Sequence, residues 1–350
     1  MLKRESVGTT RARWKLAACL MLLALVGGGL AACGSSSDQS SGSTTSSSGT
    51  GEAKSPAKVR IASIPAFGSL PLRVAEVQGF FKKEGLDVTL TPTQDLGAAV
   101  AALGKQFDIT LGSIGILASA AAQGLPVQAI SSMQDVDATH PNSVLVAKEP
   151  ITDYAQLDGK RVGVISTAGM SSVALLYLVK QAGVDPKKVR VTTTPLPTMA
   201  DQVKAGKLDA AVSAIPFFTG LDGMWVQDQD VIWSAVEKLG TTAPSAPTGM
   251  MITDKQWAAD NPDAVAGYRK AIGEAVDWIN QNGDQARQIL SEWTNVDRKV
   301  IDAAPFPLFA VKISAEQVGA QMKLMQAIGQ LPPSAPDPAS LIVAGADQAP

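Results

Sequence analysis

Few side chains of this 350-residue chain are arranged for chemistry, and those that are suit holding a ligand better than making or breaking a bond. Hydroxyls and glycine gather at Ser166-Thr167-Ala168-Gly169-Met170-Ser171-Ser172, between a strand pattern and a helix pattern. Free backbone N–H groups and hydroxyls at a helix N-terminus can take an anion or a polar head group. Ser171 could equally be an ordinary N-cap. Gly112-Ser113 poses the same choice one lobe earlier. Phe67 and Phe217 could wall a cleft, since such pockets are mostly apolar with few polar anchors. Ser69, Gln94 and Ser213 complete the candidate ligand set, because each follows a strand pattern and open parallel sheets bind beyond the carboxyl ends of their strands.

Catalytic patterns are missing. Ser113 lies in Leu111-Gly112-Ser113-Ile114-Gly115, which is not a G-x-S-x-G elbow. His140 is the one imidazole and reads as a surface or hinge-proximal side chain; Asp135 and Asp137 read as a solvated loop. No Gly-Lys-Ser/Thr follows Gly163, and no G-x-G-x-x-G follows the first strand. One His and two Cys exclude a Cys/His zinc cluster and a disulfide scaffold. With 30 Lys+Arg against 32 Asp+Glu, the net charge of −2 gives nucleic acid no purchase. The expectation is no enzyme, no catalytic residue, no metal and no cofactor.

The elements that must position these loops alternate. Val59–Ile64, Asp87–Thr91, Phe107–Leu111 and Val127–Ser132 read as strands separated by helices. The pattern restarts with strands at Arg161–Ile165, Val189–Thr193 and Leu208–Val212. Ser69 reads as a helix cap before Pro71, Thr198 as a cap of 199–205, and Ser314-Ala315-Glu316-Gln317 as a capping box. Leu103-Gly104-Lys105-Gln106-Phe107-Asp108 is echoed by Ala205-Gly206-Lys207-Leu208-Asp209, each where a helix hands over to a strand. A short strand at Met250–Ile252 precedes a helix with Val265, Tyr268, Ile272, Val276 and Ile279 on one face. The order β-α-β-α predicts α/β lobes, each a mostly parallel sheet flanked by helices. The Pro- and Ala-rich tail after Pro332 is assigned no element.

The first fifty residues read as an address. A basic region (Lys3, Arg4, Arg11, Arg13, Lys15) precedes an apolar run, Leu16–Leu30, too short and Gly-broken for a stable span. Leu30-Ala31-Ala32-Cys33-Gly34 resembles a bacterial lipobox, which makes 1–32 a lipoprotein signal peptide and Cys33 the lipidated N-terminus. Residues 33–57 then form a disordered Ser/Gly tether. Cleavage removes five basic residues and one acid, leaving a charge of −6, so attachment to the membrane must come from the lipid.

Gly79-Phe80-Phe81-Lys82-Lys83-Glu84-Gly85-Leu86-Asp87-Val88 resembles the signature of the nitrate, taurine and aliphatic-sulfonate group of ABC-transporter solute-binding proteins. Phe107–Ser113, Leu157–Val164 and Asn261–Val265 extend the resemblance over roughly 58–295. It implies a two-lobed periplasmic-binding-protein-like fold of type II with two hinge crossings. Lobe one would be 58–146 plus 248–350 and lobe two 147–247, with crossings near Val146–Pro150 and Thr242–Thr248. It further implies a monomer that captures a small sulfonate-, nitrate- or taurine-like solute at the extracytoplasmic face of the cell membrane and delivers it to the transmembrane subunits of an ABC permease. Ile215 stands before Pro216 where the family often has an acid, which leaves a less polar ligand open. A receptor for a thiamine-precursor-like pyrimidine or other neutral heterocycle, and a surface enzyme on the same fold, remain alternatives. The thiamine-pyrimidine branch brings a Cys-rich motif and catalytic His residues that this sequence does not have.

Overall fold

The computed structural model describes residues 55–219 and 221–350. The expected signal, Cys33 and all but the last three tether residues lie outside them. Chain order begins β1 (Ala57–Ser63), α1 (Leu70–Val77), α2 (Phe80–Lys83), β2 (Leu86–Pro92), α3 (Leu96–Ala101), β3 (Ile109–Gly112), α4 (Ile114–Ala122) and β4 (Val127–Val136). The second lobe contributes β5 (Ser143–Ala147), β6 (Arg161–Val164), α5 (Met170–Gln181), β7 (Arg190–Thr193), α6 (Leu196–Lys204), β8 (Ala210–Ala214), β9 (Trp225–Val226) and α7 (Val231–Lys238). The chain returns as β10 (Ala246–Asp254), α8 (Lys255–Asp260), α9 (Pro262–Gln281), α10 (Gly283–Thr294), α11 (Arg298–Asp302), β11 (Leu308–Phe309) and α12 (Ala315–Ala327).

Two sheets form among the described residues, in the orders β11-β4-β10-β3-β1-β2 and β7-β6-β8-β5-β9. β1 pairs parallel with β2 and β3, whereas β10 lies antiparallel between β3 and β4. Hence β1 to β4 all point one way, as the β-α-β-α pattern predicts, and only the returning β10 and β11 oppose them. In the second sheet β6 is parallel to β7 and β8, and β5 alone runs against the others. The fold is the two-lobed type II periplasmic-binding-protein architecture, with two mixed sheets flanked by helices.

The sequence echo marks a duplicated clasp. Arg60 gives Asp108 three hydrogen bonds, from its backbone N (2.8 Å), Nε (3.1 Å) and Nη2 (2.6 Å), and its Nη1 reaches the Lys105 carbonyl. Arg161 does the same to Asp209 (2.8, 3.0 and 3.0 Å) and reaches the Gly206 carbonyl. Both pairs are 48 residues apart. Arg60 faces Thr89 and Arg161 faces Arg190 across the parallel ladders, so the two strand–helix–strand units share one register.

Several expectations need correction. The chain leaves the first lobe between β4 and β5, at 137–142, because β5 pairs with β8 in the second sheet; the crossing is not at Val146–Pro150. The strand foreseen at Met250–Ile252 is a nine-residue strand, Ala246–Asp254, central to the first sheet and starting before the expected boundary at 248. Asp230 is fully buried and ties the first crossing to α7: one oxygen accepts the Ile232 and Trp233 N–H groups (2.7 and 3.1 Å), the other those of Asn142 and Ser143 (2.9 and 2.6 Å). The tail is also built in. Arg269 donates to the carbonyls of Gly345, Ala346 and Gln348, Ile342 bridges to Ala129, and Leu341 and Ala346 are buried. The apolar face of α9 holds, with Val265, Tyr268, Ile272 and Ile279 buried; Ala275 is buried where Val276 is half-exposed.

Candidate functional site

β3 ends in Gly112, and Ser113 caps α4 by accepting the Ile116 N–H at 3.4 Å. β6 ends at Val164, and the loop to α5 turns back through the Gly169 N–H bond to the Ser166 carbonyl (3.1 Å). These two loops meet. A Cβ placed on Gly115 would stand 3.6 Å from the Met170 sulfur and 3.9 Å from the Ala168 carbonyl, so the helix start of one lobe lies within one side-chain atom of the loop of the other. A second meeting lies beside it. Ile215, just after β8, is buried in the same apolar cluster as Phe67, Leu70 and Met133 of the first lobe, and Phe218 packs on that cluster.

The candidate residues are found in different states. Met170 is buried, Gly169 is the N-cap residue of α5, and Ser166 and Thr167 are exposed, the Ser166 hydroxyl accepting the Ala168 N–H. Ser171 does not cap α5; its hydroxyl donates to the Ser143 hydroxyl at 3.4 Å. Ser213 and Ser172 are buried with hydroxyls that have no protein partner. Phe67 is buried and Phe217 is half-buried. Ser69 does not cap α1 either. Its hydroxyl bonds the Ile64 carbonyl, which makes it a brace of the loop. Gln94 is exposed beside Asp95, which caps α3. Thr198 does not cap α6 but lies inside it, since the helix starts earlier at Leu196.

Gln134, near the C-terminal end of β4, escapes the sequence reading. It is buried, and its Nε2 has no hydrogen-bond partner. Its Oε1 lies against Gly68, where a Cβ would come within 2.0 Å. A buried amide without a partner costs about 1–3 kcal/mol, so a ligand acceptor there would recover energy. In sequence it belongs to Ser131-Ser132-Met133-Gln134-Asp135, a mostly polar run at the carboxyl end of the strand that carries no sign of burial. A surface depression of about 590 Å³ opens at the opposite ends of the second sheet's strands, among Lys148, Lys160, Gly206 and Asp209. The strand ends and the meeting loops make the better candidate, because open α/β sheets bind beyond the carboxyl ends of their strands.

His140 sits on the first crossing. Its Nδ1 is 2.9 Å from Asp137, which also accepts N–H bonds from Thr139 and His140. Burial pushes the Asp137 carboxyl up, but these bonds outweigh it and hold the group below the usual aspartate range.

Comparison with known proteins adds the family. The profile of a family described as NMT1/THI5 like matches residues 66–286. YtlA of Bacillus subtilis (strain 168) is 26% identical over 273 residues, covering 71% of this chain and 74% of that protein. THI13 of Saccharomyces cerevisiae, a 4-amino-5-hydroxymethyl-2-methylpyrimidine phosphate synthase, is 25% identical over 221 residues, 60% of this chain. This chain spans 63% of the yeast enzyme, less than two thirds of its length. Among solved structures, the periplasmic aliphatic sulphonate binding protein SsuA from Escherichia coli matches with a TM-score of 0.68, 84% of this chain and 99% of that chain being covered at 18% identity. That likeness concerns the fold.

Proposed function

The chain belongs to the NMT1/THI5-like family of solute-binding domains, and from that premise we propose that it is an extracytoplasmic receptor that grips a small polar solute between its lobes and hands it to an ABC permease. The observation that carries this reading is the approach of the Ser113–Gly115 turn of one lobe to the Ala168–Met170 loop of the other. Ser113, Ser166, Thr167, Gly169, Met170, Ser171 and Ser213 would line the grip, with Gln94 at its rim. Phe67 and Phe217 would act as apolar walls, Ser69 as a brace, and Gln134 as an added amide. Signal peptide, lipidation at Cys33 and the tether would place the body at the membrane. A sulfonate, nitrate or taurine-like anion would be held by backbone N–H groups and hydroxyls; that SsuA is named for aliphatic sulphonates supports this class.

One observation favours a second ligand class. The loops Pro65–Ser69, Thr93–Asp95, Gly112–Ile114, Ser166–Ser171 and Ser213–Phe217 contain no Lys or Arg, so a neutral heterocycle would forgo no ion pair there. The synthase name of THI13 points to pyrimidines. A melting-temperature panel with methanesulfonate, taurine, nitrate and a hydroxymethylpyrimidine decides between the classes, since binding at 100 Kd stabilises by about 2.7 kcal/mol. No rise with any of the four sinks the receptor reading in both forms. Recovering the bound compound chemically changed would make the protein an enzyme.

A further inference from the structure

Asp135 was expected in a solvated loop, and the structure overturns this: the residue is 1% exposed. It lies at the end of β4, two residues before the first crossing begins. Its Oδ1 accepts the Ser132 hydroxyl, and its Oδ2 accepts the Ser245 hydroxyl and the Gln317 Nε2 (3.1 Å). Gln317 also donates to the Ser245 hydroxyl (2.9 Å). These donors come from three segments. Ser132 is on β4, Ser245 is on the returning crossing, and Gln317 is in the first turn of α12. Helix α12 packs on α4 of the first lobe and on α5 and α7 of the second. One carboxyl group therefore fastens both crossings to the helix that touches both lobes.

None of its hydrogen-bond partners is a cation. The titratable groups on the elements packed against it are Asp137 and His140 on the first crossing, Glu316 on α12, which is bonded to Thr241 and Thr242, and Lys312 and Asp347. These last two line a cavity of about 400 Å³ that reaches Asp135 itself. Burial, with Asp137 adding to it, outweighs the Ser132, Ser245 and Gln317 bonds that pull the Asp135 carboxyl down, and leaves it raised to about 6. A carboxyl that holds its proton more tightly here than in water favours this arrangement when protonated. When ionised, it favours any arrangement that hydrates it.

We propose that Asp135 is a titrating pin of the hinge: protonated, it keeps β4, the returning crossing and α12 fastened with the lobes together, and ionised, it draws water through the adjoining cavity and biases the lobes apart. Opening would thus be favoured by rising pH, independently of which solute the cleft holds. Full hydration on opening would change the opening constant about tenfold between pH 5 and pH 8, by linkage between the ordinary aspartate value and the raised one.

The test uses small-angle scattering of the full chain, without added solute, from pH 5 to 8. The radius of gyration should rise with a midpoint near pH 6 in the wild type and in His140→Gln, and stay at its low-pH value throughout in Asp135→Asn. A flat wild-type curve, or the same pH response in Asp135→Asn, overturns the proposal. If Asp135→Asn fails to fold, the carboxyl ¹³C shift of wild-type Asp135 decides with the wild-type scattering. Titration in the ordinary aspartate range, or titration near 6 without a matching change in scattering, refutes the pin. Titration near 6 tracking the scattering midpoint supports it.

Discussion

The duplicated clasp allows one chemistry to be tested at two burials. Asp108 and Asp209 each accept three bonds from an arginine 48 residues earlier, yet the Asp108 side chain is 6% exposed and that of Asp209 is 34%. Replacing either with Asn keeps the shape, removes the charge and turns one acceptor into a donor facing the guanidinium. Behind Asp108 water cannot refill the gap, although Arg60 is half-exposed, so Asp108→Asn should cost about 2 kcal/mol, the range for hydrogen bonds to a charged group. At Asp209 the Arg161 hydrogen bonds, partly offset by burial, hold the carboxyl down at about 2. Taken whole, that shift corresponds to about 2 kcal/mol, but solvent screening at a one-third-exposed site reduces it to about 1. A depressed carboxyl contributes stability above its unfolded value near 4 and loses it as pH falls through about 2. The Asp209→Asn penalty should accordingly shrink by about half from pH 7 to pH 3. Urea unfolding followed by tryptophan fluorescence, with m-values compared, measures both variants. Equal penalties, or a larger one at Asp209, would show that burial does not govern the clasp.

Two further outcomes follow from buried backbone connections. Asp230→Ala strips four N–H groups of their acceptor, at the start of α7 and at the first crossing; it should cost about 4 kcal/mol, and a loss below about 1 in urea unfolding would contradict the assigned role. Deleting residues 342–350 removes the carbonyls that satisfy Arg269. It should lower Tm by about 10 °C, and an unchanged melting curve would show that the tail is not part of the fold.

The loops proposed as the site could be located from sequence because loops after strands follow from local pattern. Ser113 as a cap and the Ser314–Gln317 capping box needed only short-range geometry. Ser69 and Ser171 went the other way: a hydroxyl in a cap position can take a better-placed partner, and tertiary packing supplied the Ile64 carbonyl and the Ser143 hydroxyl. Gln134 and Asp135 look like an exposed polar run, and nothing local reveals that β10, β11 and α12 close over them.

Sequence by itself determined the two α/β units, the direction of their strands and the family. Each of these rests on periodicity or on a contiguous motif, and the Gly-Lys echo already marked the repeated clasp. Tertiary structure alone decided where the chain crosses between lobes, where β10 inserts, what the tail covers and which polar groups are sealed from water. Those outcomes depend on contacts between residues far apart in the chain, such as Asp135 with Gln317 and Arg269 with Gln348. Burial, which sets the strength of a hydrogen bond and the charge of a carboxyl, exists only once those segments have packed.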